Sequence, residues 1–187
     1  MIEELLDFER EWFFAVNGTH TAWLDALMLS FASPYAWCPL IFVPLYFFLK
    51  KRRESLIMLA CTALTVVCNG LITSLITKPL LSRLRPTNHP DFAGQVRILH
   101  DYIADGLFGF FSGHATNAFA FAVLSALALK NRYYTVGVFV WALVMVYSRV
   151  YLGAHFISDV VPGMIVGALI GWALYGFYEY LKKRFLQ

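Results

Sequence analysis

Ser55-LIMLACTALTVVCNGLITSLI-Thr77 contains no charged side chain over its 23 residues. A helix rises about 1.5 Å per residue, so about 20 apolar residues cross the roughly 30 Å hydrocarbon layer of a bilayer. The stretch is long enough to span, and charge brackets it: Lys50-Lys51-Arg52-Arg53-Glu54 precede it and Lys78 follows. Further apolar stretches run at 31–49, 115–129, 133–147 and 160–178. Of the 187 residues, 59% are hydrophobic and 14% charged, against about 45–50% apolar in an ordinary soluble domain. The charges are clustered, with long neutral runs between the clusters, as expected when hydrocarbon is the solvent. The pattern predicts an all-α integral membrane helical bundle of five transmembrane helices. Stretches 115–129 and 133–147 are short for a span, so their polar ends must reach the interface or the bilayer must thin around them.

Residues 1–32 mix Leu5, Leu6, Phe8, Trp12, Phe13 and Phe14 with Glu3, Glu4, Asp7, Glu9 and Arg10, and Asn17-Gly18 breaks the run. This reads as an N-terminal amphipathic interfacial segment; the alternative is a sixth span beginning near Trp12. The first eleven residues carry five acidic side chains and one arginine, the reverse of a secretory n-region. Basic clusters at Lys50–Arg53, Lys130/Arg132 and Lys182–Arg184 share one side of a five-span chain, which the positive-inside rule makes cytoplasmic. Residues 78–114, the one long connection, and 148–159 then lie outside. The whole chain, 1–187, reads as one membrane domain. Cys38, Cys61 and Cys68 are odd in number, sit in apolar stretches and read as packed thiols.

The outer ends of four spans carry Lys78, Arg83, Arg85, His114, Arg149, His155 and Asp159. Ionisable groups at such depth are costly and by default suggest function. Arginines fork onto phosphate oxygens. Ser112-Gly113-His114 opens the third span, where free backbone N–H groups attract anions and Gly113 permits close approach. His155 and Asp159, four residues apart, share a helix face. The carboxylate can take one imidazole nitrogen while the other meets substrate, as in the orienting half of a nucleophilic triad. His114 can protonate a departing oxygen, worth roughly 10²–10⁴-fold.

These residues resemble the type 2 phosphatidic acid phosphatase superfamily. Its signature is Lys, six residues, Arg-Pro; Pro-Ser-Gly-His; and Ser-Arg, five residues, His, three residues, Asp. The chain reads Lys78-PLLSRL-Arg85-Pro86, Phe111-Ser112-Gly113-His114 and Ser148-Arg149-VYLGA-His155-FIS-Asp159. Phe111 departs from the pattern, which bears on the turn into the third span. The resemblance implies a lipid phosphatase of the bacterial cytoplasmic (inner) membrane with its site facing the periplasm. It implies that His155 attacks phosphorus to form a phospho-histidine, that Asp159 orients it, and that His114 is the general acid and then the base for water. Lys78, Arg85 and Arg149, with Ser112 and Gly113, would bind the phosphoryl oxygens. No metal or cofactor is implied, and the expected partners are a lipid phosphate and membrane lipids, not nucleic acid.

Polyprenyl diphosphate, lipid A phosphate and phosphatidylglycerol phosphate all suit such a site, with a polyprenyl carrier or lipid A as the first expectation. A lipid phosphotransferase using polyprenyl diphosphate would need the same residues. A non-catalytic lipid-phosphate binding protein would need only the cations. Arg83 fits no motif position and reads as a headgroup anchor. His89, Arg97, His100, Asp101 and Asp105 read as solvated loop residues. Asn69, Thr116 and Asn117 read as helix–helix hydrogen-bonding groups. Trp141 and Trp172 read as packing or lipid-facing groups.

Overall fold

The computed structural model describes residues 2–92, 94–99, 102, 104 and 106–186; the side chains of Ile2, Glu3, Leu5, Leu6, Ser74, Leu75, Ile76 and Lys78 are not described. The described residues form eight α-helices: α1 Ile2–Gly18, α2 Ala22–Ala32, α3 Pro39–Lys50, α4 Arg52–Gly70, α5 Lys78–Leu81, α6 Gly113–Leu129, α7 Arg132–Tyr151 and α8 Ile157–Leu186. A 3₁₀ turn, Pro34–Trp37, joins α2 to α3, and α4 runs on as a π-helix, Leu71–Thr77, into α5. Among the described residues the one β-bridge pairs Leu84 with Phe108.

The chain is an all-α, multi-pass membrane bundle. Arg52–Thr73, Arg132–Tyr151 and Ile157–Leu186 are long and apolar enough to cross a bilayer. Ala22–Ala32 with Pro34–Lys50, bent by 65°, makes a fourth candidate if the pair is one broken span, and Gly113–Leu129 is a shorter apolar helix. Leu56, Ile41, Leu169 and Trp172 stand more than half exposed on α4, α3 and α8. Such an outward apolar surface is stable only against lipid.

Local chemistry sets the helix ends. The Asn131 side chain accepts from the Tyr133 and Tyr134 amides and starts α7, after Lys130 ends α6 in the left-handed region. Ser112 caps α6, its hydroxyl accepting from the Ala115 amide at 3.4 Å. Between α7 and α8, Gly153 has φ +74°, a conformation that suits glycine, and the turn there delivers His155.

The α6–α8 contact positions the site. Gly163, Gly167 and Gly171 lie four residues apart on one face of α8. A Cβ on Gly167 would stand 2.3 Å from the Thr116 carbonyl oxygen, and one on Gly171 2.3 Å from that of Ala120. Small residues at this spacing let two backbones touch. The close approach brings the start of α6 to the start of α8, where the Ser112 amide donates to the Asp159 carbonyl at 3.0 Å. The four-residue period of these glycines is visible in the sequence, but only the position of α6 opposite them gives it a meaning.

The N-terminal helices are docked on the bundle. Phe13, fully buried, stacks near Phe156 with ring centroids 5.3 Å apart. Asn17 donates to the Tyr151 carbonyl at 2.9 Å and accepts from the Arg97 amide at 2.8 Å. At the opposite end of the bundle, the Tyr178 hydroxyl donates to Glu54, and Lys182 lies 3.7 Å from the same carboxylate.

Candidate active site

Asp159 opens α8 and is completely buried. A buried carboxylate is costly unless it is paired. Oδ1 accepts from Arg83 Nη1 at 2.9 Å, and Oδ2 accepts from the Phe156 amide at 2.9 Å. His155 Nδ1 lies 3.6 Å from Oδ2 and has no formed hydrogen bond. That distance is long for a bond, but catalytic contacts in an unliganded site often tighten on binding.

The other imidazole nitrogen, Nε2, is 2.9 Å from Arg85 Nη1. A guanidinium can only donate, so Nε2 accepts, and in the neutral ring the proton sits on Nδ1, facing Asp159. Burial disfavours the charged ring and, outweighing Asp159, pushes the His155 pKa down to about 4; the nearby Arg85 and Arg149 add to the effect. The ring is therefore an uncharged base at neutral pH. Gly109 closes the site from the outer loop. A Cβ there would lie 3.1 Å from Asp159 Oδ2, 3.4 Å from Arg85 Cγ and 3.5 Å from His155 Nδ1.

The structure brings Arg85, Ser112, Arg149, His155 and Asp159 into a buried cluster and sets Gly113 and His114 on the first turn of α6. Arg85 also donates to the Ala154 carbonyl at 2.9 Å and, through Nε, to the Gly106 carbonyl at 3.0 Å. Arg149 is tied to protein groups: the Phe31 carbonyl at 2.8 Å, the Tyr102 hydroxyl at 3.1 Å and the Ser148 hydroxyl at 2.9 Å. The His114 ring tilts against Trp37, 5.6 Å between centroids. Asn69, expected to bond between helices, donates to the Gly113 carbonyl at 3.2 Å. Thr116 instead bonds back to Ser112 within its own helix. Lys78 is the first residue of α5, and its expected phosphate contact lies outside the described residues. Where the signature has proline, buried Phe111 precedes the Ser112 cap.

Two loop residues differ from expectation. Arg83 is no free headgroup anchor: besides Asp159 it meets Glu9 of α1 at 2.6 Å, because a fully buried carboxylate needs a cation. Arg97 is not simply solvated: it pairs with Asp25 at 2.6 Å, and its guanidinium is held more basic by that contact. Their signal lay in partners more than 70 residues away, which spacing does not reveal. Of the other loop residues, His89 stacks on Phe92 with centroids 4.7 Å apart, while His100, Asp101 and Asp105 lie outside the described residues. Beside the Glu9–Arg83 pair opens a cavity of about 520 Å³ that includes Arg10, His89, Phe92 and Phe156 in its walls. Among the described residues, no three His, Cys, Asp or Glu side chains gather as metal ligands.

Residues 54–183 match the family model described as the PAP2 superfamily. The chain is 32% identical to a lipid A 4'-phosphatase of Porphyromonas gingivalis over 99% of its own length and 79% of the relative's. It is 28% identical to an undecaprenyl-diphosphatase of Sulfolobus acidocaldarius, covering 91% of this chain and 78% of that one. Its fold superposes on the crystal structure of a transmembrane PAP2 type phosphatidylglycerolphosphate phosphatase from Bacillus subtilis with a TM-score of 0.73, at 22% identity, covering 96% and 89% of the two chains.

Proposed function

We propose, from the premise that this chain belongs to the PAP2 superfamily, that it is a lipid phosphatase working through a phospho-histidine on His155, with lipid A as substrate. Removal of a phosphate from a lipid, by hydrolysis of an ester or an anhydride, is the activity its named relatives share. The observation that carries the mechanism is the buried, uncharged His155 ring between Arg85 and Asp159.

In this reading Nε2 attacks phosphorus as the P–O bond to the lipid breaks, and the departing oxygen takes a proton from His114. Arg85 turns from Nε2 to the phosphoryl oxygens once substrate arrives, so the lone pair is released when the anion is present. Asp159 supports the growing positive charge on the ring, worth most in a site shielded from water. Water then attacks the N–P bond, gives its proton to His114, and phosphate leaves with His155 restored. Lys78, Arg149, Ser112 and the Gly113 amide complete the anion cradle, in place of the Mg²⁺ that stabilises charge in kinases. The site faces the periplasm from the inner membrane, because the basic clusters lie at the other ends of the spans.

The preference for lipid A rests on the 32% identity to a lipid A 4'-phosphatase over 99% of this chain. The test is phosphate release by purified protein from lipid A, undecaprenyl diphosphate and phosphatidylglycerol phosphate in detergent, with EDTA. Fastest release from lipid A, unaffected by EDTA and without acceptor lipid, is expected. Loss of phosphate from the donor only when an acceptor lipid is supplied, with the phosphoryl group recovered on that lipid and not as free phosphate, would make the protein a transferase, and a preference for undecaprenyl diphosphate would reassign the substrate.

A further inference from the structure

The N-terminal helices lie outside the stretch that matches the family model, which begins at residue 54, yet three of their groups reach the cluster. The Phe31 carbonyl accepts from Arg149, Trp37 lies against His114, and Glu9 meets Arg83. The Glu9 contact is the most developed. Glu9 Oε2 takes Arg83 Nη2 at 2.6 Å, while Oε1 takes both the amide and the hydroxyl of Ser158, the residue before Asp159. Arg83 Nη1 donates to the Ser158 hydroxyl and to Asp159 Oδ1, and the guanidinium lies over the Phe156 ring, 4.8 Å from its centroid. Glu9, Arg83 and Ser158 thus close a ring of charge and hydrogen bonds at the first turn of α8, and Asp159 is tied to it through Arg83.

We propose that Glu9 and Arg83 are a positioning pair: Arg83 holds the Asp159 carboxylate against the His155 ring, and Glu9 fixes Arg83 and the Ser158 turn. The physical need is specific. Asp159 Oδ2 must face Nδ1; the Phe156 amide holds that oxygen at 2.9 Å, and a second anchor on Oδ1 is what keeps the carboxylate from swinging about that single bond. Arg83 is the cation that anchors it. Arginine's rigid planar fork points separate N–H groups at two carboxylates in a fixed geometry, which the point charge of a flexible lysine does not reproduce. Through this pair, the correct docking of α1 becomes a condition of turnover. The proposal rests on the reading of His155 as the nucleophile.

Glu9→Gln, Arg83→Gln, Arg83→Lys and the double Gln variant test it, using purified full-length protein and the lipid phosphate that the wild type hydrolyses fastest among the three above. Outer groups that orient the ligands of a metal typically matter by about 10–100-fold, and a pair that orients the partner of a nucleophile acts on the same principle. Glu9→Gln and Arg83→Gln are expected to lower kcat within that range with KM unchanged. The double variant should be no worse than Arg83→Gln, since the two act as one unit, and Arg83→Lys should recover part of the loss. Lys182→Gln, at the far end of the bundle, should retain full activity. Rates are divided by the folded fraction from gel filtration, and the near-isosteric Glu9→Gln reports even if Arg83→Gln folds poorly. Unchanged kcat in Glu9→Gln, additive losses, or a raised KM at constant kcat would overturn the pair, the last pointing back to a headgroup anchor. Activity retained in His155→Ala would instead overturn the nucleophile reading, which separates the two failures.

Discussion

Gly167→Ala adds one methyl group where α8 touches the backbone of α6. The new Cβ would stand 2.3 Å from the Thr116 carbonyl oxygen and 3.0 Å from that residue's carbonyl carbon and Cα, whereas ordinary contact begins at 3.4 Å. The obstacle is backbone, so no side chain can swing aside, and the helices must separate by about 1 Å. Inserting a methyl group into a packed contact costs typically about 1–3 kcal/mol. The rate should suffer more. Separation pulls the Ser112 amide from the Asp159 carbonyl, now 3.0 Å apart, and with it His114 from His155. A misplacement of about 1 Å in a reacting constellation can cost on the order of 10²-fold. Gly176→Ala is the matched control on the same helix, because nothing lies within 4 Å of its Cβ. There the change should be neutral or stabilising by up to about 1 kcal/mol through helix propensity. Thermal unfolding in detergent and phosphate release, measured side by side, decide it. A Gly167→Ala protein as stable and active as Gly176→Ala would refute the claim that this close contact builds the site.

Gly109→Ala should fold but lose activity by roughly 10-fold or more, because its Cβ would crowd Asp159 Oδ2 at 3.1 Å and shift the pair that orients the nucleophile; wild-type kcat would contradict this. The pH dependence follows from His155. Its pKa falls from 6.5 in the unfolded chain to about 4 when folded, so between those values the unfolded state binds more protons. Stability should therefore be full above pH about 6.5 and decline as the pH falls towards 4, by about 3 kcal/mol in all. Acid unfolding curves of wild type and His155→Asn check it: the variant should lack this component. In the same way the acid limb of kcat/KM set by the nucleophile should lie well below pH 6.5, read from a pH–rate profile.

The helical bundle was legible because an uncharged 23-residue run has few alternatives to a span. The cluster was legible because motif spacing pairs His155 with Asp159 and puts Ser112 at a helix start; Ser112 does cap α6, while His155 lies in the connection just before α8, not on the helix, and still comes within 3.6 Å of Asp159. What spacing could not reveal was which distant groups complete the cluster. Arg83 looked superfluous two positions before Arg85, since nothing local says that a fully buried Asp159 will need it. Arg149 looked like an anion clamp, and its ties to Phe31, Ser148 and Tyr102 depend on how α2 and the outer loop fold back over α7. The glycines 163, 167 and 171 did carry a readable period, but its meaning depends on α6 lying opposite. The same holds for Glu9: its position in an acidic N-terminal run suggested an interfacial face, whereas docking turns it inward to Arg83 and Ser158.

A covalent intermediate on His155 is the direct consequence of nucleophilic attack by its ring. Purified protein is mixed with ³²P-labelled lipid A, quenched within milliseconds to seconds in alkali, where phospho-histidine survives, and the labelled peptide is mapped. Label on His155 is predicted, stable to alkali and lost in acid, increased in His114→Ala if water attack is slowed more than the first transfer, and absent in His155→Ala together with phosphate release. Phosphate release by His155→Ala, or label carried by another residue, would contradict it.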